Sequence, residues 1–525
     1  MADARCSLLR AFAYLLVFFV LFTNAQNGFN RDVCLKRVRD GLDDGTISRN
    51  SSIFLRDEDG LPMSEPETPF LTIGGCEQVC GKSFGWYRDV GPRLSTWLIP
   101  VLLLISNMEV SPLDKRRYLM ILHLLGDPID SLYSLLLKME AWSRCHSMAR
   151  AMCRRSGRRV RNLATVLGGF EELVGFHANP ADVYTRIMQS SRVNSVQVDA
   201  HIARAAQKLA DSRTDERLRT LLATVLYIYQ LVSAFIATVG GGNTSPPGGR
   251  IGMTMFMTWI LPSILISNAI GCFTSRRTCF DILDSFVQQL DSETSLWSEL
   301  RDAVPELRQY SSVEDFFESF SWSGAIYSYR PSKQLKFSTG PQDRSRSLIF
   351  LLALAPIVTS SVVASIILWH TPPIGINCRN LLVFSIIIFM FTSAFFTAAT
   401  SWAGLHGETH WHVVLVKDAC LAIPFVLLVF FATSGLFNSC WCWSGVYSLG
   451  AKARVPMNPV ADFTLYGRTI YPILVSVCLI LLILAFVAMM WMGWRGWNVM
   501  RWSEKERQDE WNRARGTKVE LHPVS

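Results

Sequence analysis

The chain has 525 residues, of which half are apolar and only 18% are charged, and its mean hydropathy is +0.24. This composition places it among membrane proteins rather than large soluble domains. The net charge of +8 is explained by basic loops beside membrane spans and is accompanied by no nucleic-acid-binding pattern, so no nucleic-acid partner is expected.

The N-terminus has the pattern of a secretory signal peptide. Arg5 and Arg10 precede an apolar run over residues 11–22, and small residues follow up to Ala25. Such a run is too short to cross about 30 Å of hydrocarbon. We expect residues 1–25 to be removed and the mature N-terminus to lie outside; an uncleaved anchor is the alternative.

Seven further stretches are long and apolar enough to cross a membrane. They are residues 94–110, 219–240, 251–273, 348–369, 380–402, 413–437 and 469–493. The predicted fold is therefore an all-α, polytopic helical membrane protein. The predicted segments are an outer segment (26–93), TM1 (94–110), an inner segment (111–218), the TM2–TM3 hairpin (219–273), an inner segment (274–347), the TM4–TM5 hairpin (348–402), an inner loop with TM6 (403–437), an outer loop (438–468), TM7 (469–493) and an inner tail (494–525).

TM1 is the least clearly predicted of the seven spans, but the distribution of basic residues along the chain supports it. With the N-terminus outside, the basic clusters at 114–117, 154–161, 275–277 and 495–502 all lie inside, as the positive-inside rule requires. Both glycosylation sequons, at Asn50 and Asn243, then lie outside. Removing TM1 would place residues 154–161 outside.

The outer segments contain an even number of cysteines in an oxidising compartment. They are Cys34, Cys76, Cys80, Cys378, Cys440 and Cys442. Up to three disulfides are possible, and the spacing alone leaves all 15 pairings open. A metal site at Cys440 and Cys442 is a less favoured alternative, because no histidine accompanies them outside.

The first inner segment includes an interrupted apolar stretch at 118–142. Gly126, Asp127, Pro128 and Asp130 break it, so we expect a helical hairpin that is interfacial or packed in protein rather than exposed to lipid. The basic run at 150–161 could bind anionic inner-leaflet lipids, but a solvated determinant of the positive-inside topology is the favoured explanation.

Within the predicted spans, charge is nearly absent. Gln230 and Asn268 are the main polar exceptions, while Lys417 and Asp418 lie about one turn inside TM6, where they could snorkel or pair with neighbours. This scarcity argues against a transport pathway.

The stretch HGETHWH at 406–412 contains the candidate metal ligands His406, Glu408, His410 and His412. Its order is not the metalloprotease pattern, which needs a glutamate directly after the first histidine. We interpret it mainly as a polar inner loop; no catalytic residue and no cofactor is predicted.

Five stretches are similar to a family of multi-pass membrane proteins of filamentous fungi to which no activity is assigned. They are LTIGGCEQVCG, LHLLGDPIDSLYSLLLKMEAW, RNLATVLGGFEELVG, SPPGGRIGMTMFMTWILPSILISNAIGCFTSRRTC and TPPIGINCR, between residues 71 and 379. The resemblance implies a fungal multi-pass protein and transfers no site residue.

Three classes of function remain. A sensor, receptor-like protein or scaffold of the cell surface or endomembranes is suggested by seven spans and by inner segments that could dock protein partners. A small-molecule transporter or channel is the alternative, and an enzyme is the least favoured. We expect a plasma-membrane location within the secretory pathway, with the C-terminus in the cytoplasm.

The predicted topology can be tested through Asn50. Replacing it (Asn50→Gln) should remove a glycan and increase mobility on a denaturing gel, because residue 50 is predicted to face the lumen. A reporter fused to the C-terminus should remain in the cytoplasm, and its detection outside would contradict seven crossings.

Overall fold

The computed structural model describes residues 31–48, 51, 55–57, 61, 70–81, 99, 101–105, 117–153, 157–174, 178–190, 193–213, 217–233, 247–270, 276–291, 293–319, 346–371, 375–403, 407–434, 439–456, 469–500 and 502. The predicted signal peptide, Asn50, Asn243 and His406 lie outside these residues, as does most of TM1.

Helices account for most of the described chain. In chain order the elements are α1 (Arg31–Asp43), β1 (Leu55–Arg56), β2 (Phe70–Leu71), α2 (Ile73–Cys80), α3 (Arg117–Gly126), α4 (Pro128–Met152), α5 (Gly157–Val174), α6 (Pro180–Ser190), α7 (Ser195–Asp211), α8 (Arg217–Ser233), α9 (Pro247–Phe256), α10 (Ile260–Ile270), α11 (Arg276–Leu290), α12 (Leu296–Ala303), α13 (Val313–Ser319), α14 (Arg346–Trp369), α15 (Cys378–Trp402), α16 (Gly407–Ser434), α17 (Cys440–Trp443), α18 (Val446–Leu449), β3 (Val455–Pro456) and α19 (Tyr471–Met500).

Five stretches of helix are long and apolar enough to cross a membrane. They are Gly248–Ile270, Ser347–Trp369, Cys378–Thr400, His412–Phe431 and Tyr471–Asn498. Each coincides with one of the predicted spans TM3 to TM7, and the chain is therefore a multi-pass helical membrane protein. The predicted TM2 region contains α8, whose apolar part, Thr220–Val232, is shorter than a span.

One end of the bundle is closed by disulfides, and we call it the disulfide end. Cys34–Cys80, Cys76–Cys440 and Cys378–Cys442 are paired there, which fits the six cysteines expected from the sequence. An antiparallel sheet in the order β1-β2-β3 joins the N-terminal segment to the stretch before α19. At the same end, α19 is joined to the residue that follows α14 by a hydrogen bond that the Tyr471 hydroxyl donates to the His370 carbonyl at 3.1 Å.

The other end carries a helical domain, made of α5, α6, α7, α11, α12 and α13. These amphipathic helices surround a core that includes Leu167, Phe170, Leu209 and Leu283. The sequence predicts helices in both inner segments, and the structure brings the two segments, which the TM2–TM3 hairpin separates in the chain, into one core. We call this end of the bundle the domain end.

Helix α4 connects the bundle to the helical domain. Its N-terminal half lies in the core of the bundle with Leu132 and Leu136, and Cys145 and Ala149 lie in the core of the domain. Between them, the Lys138 ammonium pairs with the Glu172 carboxylate of α5 at 2.5 Å, with both side chains buried. Because residues 128–143 of α4 are all buried, this part of the helix has no apolar stripe for sequence periodicity to detect.

Helices α3 and α4 form the hairpin predicted for residues 118–142. Their axes turn through 112° at the break. This is more than a right angle, so α4 leads back towards the side from which α3 comes. Both helices pack against other helices of the bundle, which selects the protein-packed alternative over the interfacial one.

The predicted inner loop at 403–412 is shorter in the structure. Helix α15 ends at Trp402 and α16 begins at Gly407, so residues 407–412 are helical. Gly407 is the first residue of α16, a terminal position at which glycine costs a helix little.

Two glycines of α19 allow it to approach α4 closely. A Cβ at Gly496 would lie 2.6 Å from the Ser143 backbone nitrogen and 2.8 Å from the Met139 carbonyl oxygen. Neither backbone atom can move without shifting α4. At Gly493 the nearest atom is the flexible end of Met139.

We therefore expect Gly496→Ala to lower the melting temperature of the purified protein in detergent. The clash should cost about 1–3 kcal/mol, which exceeds the gain of about 1 kcal/mol that alanine normally brings to a helix. Gly157→Ala is the matched control, because a Cβ there meets nothing within 4 Å. Equal melting temperatures for the two variants would contradict the close approach.

Candidate functional site: a buried charge cluster

The break between α3 and α4 follows from the sequence Gly126-Asp127-Pro128. Proline at the first position of α4 has no N–H to donate and is favoured there, and aspartate before it is a good N-cap. The Asp127 Oδ1 atom accepts from the Asp130 backbone N–H at 3.1 Å. The local sequence thus stops one helix and starts the next at Asp127.

The second oxygen of Asp127 faces the membrane bundle. Its Oδ2 atom lies 2.6 Å from the Lys417 Nζ atom of α16 and accepts from the Thr397 hydroxyl of α15, also at 2.6 Å. Asp127 is 0% exposed. A single carboxylate therefore caps α4 and joins it to two membrane helices.

Five oxygen atoms surround the Lys417 ammonium. They are Asp127 Oδ2 at 2.6 Å, Ser393 Oγ and Thr397 Oγ1 at 2.7 Å, Asp418 Oδ1 at 2.9 Å and the Ser393 carbonyl at 3.4 Å. We call this set the oxygen cradle. It is assembled from α15, α16 and the α3–α4 break, so no single segment could form it.

His123 extends the interactions from the cradle to a third carboxylate. Its Nδ1 atom lies 2.6 Å from Asp418 Oδ2, and its Nε2 atom lies 3.2 Å from Asp130 Oδ2. The imidazole therefore bridges α16 and α4 from its place in the last turn of α3. Of the two contacts, Nδ1–Asp418 is a hydrogen bond and Nε2–Asp130 is an ion-pair contact.

Gly126 allows α3 to reach this position. A Cβ at Gly126 would lie 2.8 Å from the Asp418 carbonyl oxygen and 2.9 Å from its Cα atom. The backbones of α3 and α16 are therefore in contact where the charges meet. Any larger residue would push His123 and Asp127 away from Lys417 and Asp418.

Together these seven residues form what we call the buried charge cluster. They are His123, Asp127, Asp130, Ser393, Thr397, Lys417 and Asp418, and all are less than 10% exposed. Lys417 and Asp418 lie inside the apolar stretch His412–Phe431, and Ser393 and Thr397 lie inside Cys378–Thr400. Ion pairs at such depth are costly unless each charge has a partner.

The cluster changes one interpretation made from the sequence. Few charges were expected among the spans, and this counted against transport. Lys417 and Asp418 form ion pairs with neighbours, which is one of the two roles expected for them. Three further ionisable groups enter the bundle from the α3–α4 hairpin. The run Gly-Asp-Pro-x-Asp predicts the helix break and a protein environment for its carboxylates, but nothing in the sequence identifies Lys417 and Asp418 as their partners.

The candidate metal ligands at 406–412 are not brought into this cluster as far as the chain is described. Glu408 and His410 lie in the first turns of α16, but their side chains are outside the described residues, as is all of His406. The His412 side chain is exposed. Metal binding at this stretch stays a prediction.

Three cysteine sulfurs at the disulfide end also lie close together. Those of Cys76, Cys80 and Cys440 are all within 4.8 Å of one another. Because each belongs to a disulfide, none is a thiolate that could bind a metal. Cys440 and Cys442 belong to different disulfides, which also accounts for the sequence Cys-x-Cys without a metal.

In the helical domain, Cys153 lies near Tyr184 and the Arg159–Asp199 ion pair. Burial raises the pKa of the Cys153 thiol, and it also raises the pKa of Tyr184 to about 12. Both groups therefore keep their protons at neutral pH. A protonated thiol is a poor nucleophile, so this cluster does not resemble a catalytic centre.

Comparisons of the chain with models of protein families, with curated proteins and with solved structures find no match. The buried charge cluster is therefore the feature from which function has to be argued.

A double-mutant cycle should show that Lys417 and Asp127 depend on each other. Lys417→Met leaves buried carboxylates without their ammonium and should destabilise the protein by about 3–5 kcal/mol. Asp127→Asn in the same chain should restore part of that loss, because it removes one uncompensated charge. The measurement is the free energy of unfolding in detergent micelles.

The control cycle is Arg159→Met with Asp199→Asn. These side chains form an ion pair with 53% and 38% exposure, so their coupling should stay below about 1 kcal/mol. Strictly additive effects at Lys417 and Asp127 would contradict the pairing.

Proposed function

We propose that the chain is a membrane transport protein whose coupling site is the buried charge cluster. The observation that carries this proposal is the Lys417–Asp127 ion pair, which lies within the apolar bundle at a break between two helices. Ionisable groups inside a membrane bundle are expensive to maintain and typically mark proton or ion pathways. The class is that of a small-solute transporter or channel.

The broken helix supports transport in a second way. Irregular backbone at membrane depth persists where it is enclosed by protein and forms a binding site, and transporters commonly place their substrate and ion sites at such breaks. At Asp127 the C-terminus of α3 meets the N-terminus of α4. A proton or cation that alters the Lys417–Asp127 pair would change how this hairpin is held against α15 and α16.

Sensing or scaffolding is the second candidate, and α4 is the observation that favours it. One continuous helix carries Asp130 of the cluster at its start and ends in the core of the helical domain. A change at the cluster could therefore reach a surface that docks protein partners. Among the described residues, nothing gives comparable support to an enzymatic function.

For the topology, we propose seven crossings with the helical domain in the cytoplasm. Gly81 lies at the disulfide end, whereas α4 ends in the helical domain and α9 begins again near the disulfide end. One passage of the chain between the two ends before α3 and another after α7 would account for these positions, and this supports TM1 and TM2 in addition to the five apolar helices.

The disulfides support an oxidising compartment at their end of the bundle, which agrees with a cleaved signal peptide and entry into the secretory pathway. We propose the plasma membrane as the final location. The basic run at 150–161 then faces the cytoplasm, where anionic lipids would attract it. We also propose that the chain belongs to the family of fungal multi-pass membrane proteins that it resembles.

The transport proposal is tested with the full-length protein in liposomes. Currents are recorded on a solid-supported membrane as amino acids, sugars, nucleosides, dicarboxylates and inorganic ions are applied in turn, with and without a pH gradient. We expect at least one solute to drive a current, which Asp127→Asn and Thr397→Val reduce by about tenfold or more, because both remove contacts to the Lys417 ammonium.

Asp199→Asn is the matched control, since it removes a carboxylate from the surface of the helical domain and should leave the current unchanged. If no solute drives a current, or if Asp127→Asn transports normally, the transport proposal fails and the sensing proposal is favoured.

A further inference from the structure

The Lys417 ammonium is surrounded by more oxygen atoms than it has protons. Its Nζ atom has three N–H bonds to donate, yet five oxygen atoms lie within 3.4 Å of it. Some of these oxygens must share a proton or accept none. A cradle with more acceptors than the ammonium has protons suits a spherical cation at least as well.

The chemical character of the five oxygens points the same way. Two come from carboxylates, two from hydroxyls and one from a backbone carbonyl, the set of hard oxygen ligands that alkali and alkaline-earth cations prefer in proteins. The Thr397 hydroxyl can accept from Lys417 only while it donates its own proton to Asp127 Oδ2 or to the Ser393 carbonyl. A bare cation is compatible with the same arrangement, because it also contacts the oxygen lone pair while the hydroxyl proton points to another acceptor.

The cradle is also built from positions that are held in place. Ser393 and Thr397 are one turn apart on α15, Asp418 is fixed against Gly126, and Asp127 is fixed by capping α4. These constraints do not involve the lysine side chain. The oxygens should therefore stay close to their positions when the ammonium is withdrawn.

We infer that the oxygen cradle is a monovalent-cation site in which the Lys417 ammonium is the resident, tethered cation. The lysine carries one positive charge into a pocket that would otherwise take one sodium ion. A role for this site in coupling rests on the proposed transport function, because exchange between the ammonium and a free cation would then move the α3–α4 hairpin. Cation binding itself can be tested without transport.

The test uses Lys417→Ala, which removes the tethered charge and leaves all five oxygens. The full-length protein is purified in detergent, and its melting temperature is followed by tryptophan fluorescence in sodium chloride and in choline chloride of equal ionic strength. We expect sodium to raise the melting temperature of Lys417→Ala by about 1 °C or more once it exceeds its dissociation constant about tenfold. Choline is too large for the cradle and should have no such effect.

Three controls separate this effect from general salt stabilisation. The unaltered protein should show no difference between sodium and choline, because its ammonium fills the cradle. Lys452→Ala, at an exposed lysine of the disulfide end, should behave in the same way. The double variant Asp127→Asn/Lys417→Ala should lose the sodium effect, because it lacks one carboxylate of the cradle.

If Lys417→Ala is purified as a monodisperse protein only in sodium and not in choline, that result supports the inference equally. The inference is overturned if Lys417→Ala melts at the same temperature in both salts, if it is unfolded in both, or if the controls show the same sodium effect. If sodium stabilises Lys417→Ala but no solute drives a current in the unaltered protein, the cation site is supported and the transport proposal is contradicted.

Discussion

The interaction on which the membrane bundle depends is the ion pair between Lys417 and Asp127. A lysine about one turn inside an apolar helix would normally extend to the membrane surface or lose its charge, since an unpaired ammonium is costly there. Here the chain brings a carboxylate to the lysine. The α3–α4 hairpin has to enter the bundle, break at Asp127 and contact the backbone of α16 through Gly126, and these three requirements follow from satisfying one buried charge.

Much of the fold could be predicted because its signals are local in sequence. A span of about 20 apolar residues is recognisable without knowing its neighbours, and five predicted spans coincide with helices of the structure. The six cysteines could be selected from their compartment, but their pairing joins Cys76 to Cys440 across 364 residues and is set by where the helices end. Sequence spacing contains no such information.

The cluster could be predicted only in part, for the same reason. The Gly-Asp-Pro run indicated a break, and the carboxylates near it indicated a protein environment. Lys417 and Asp418, however, look like the polar collar of a span when considered alone, and 290 residues separate Lys417 from Asp127. Each group is explained by an ordinary role in its own segment, and the cluster appears only when the segments are packed together.

The burial of α4 connects the charge cluster to the rest of the molecule. A helix with one apolar face can shift along its neighbour at small cost, whereas α4 contacts α19, α14 and α5 on different sides and is held at mid-length by the Lys138–Glu172 pair. Interlocked packing of this kind favours discrete positions over continuous sliding. A change in charge at Asp127 would therefore either leave α4 in place or move it as a unit, and in the second case the helical domain would move with it.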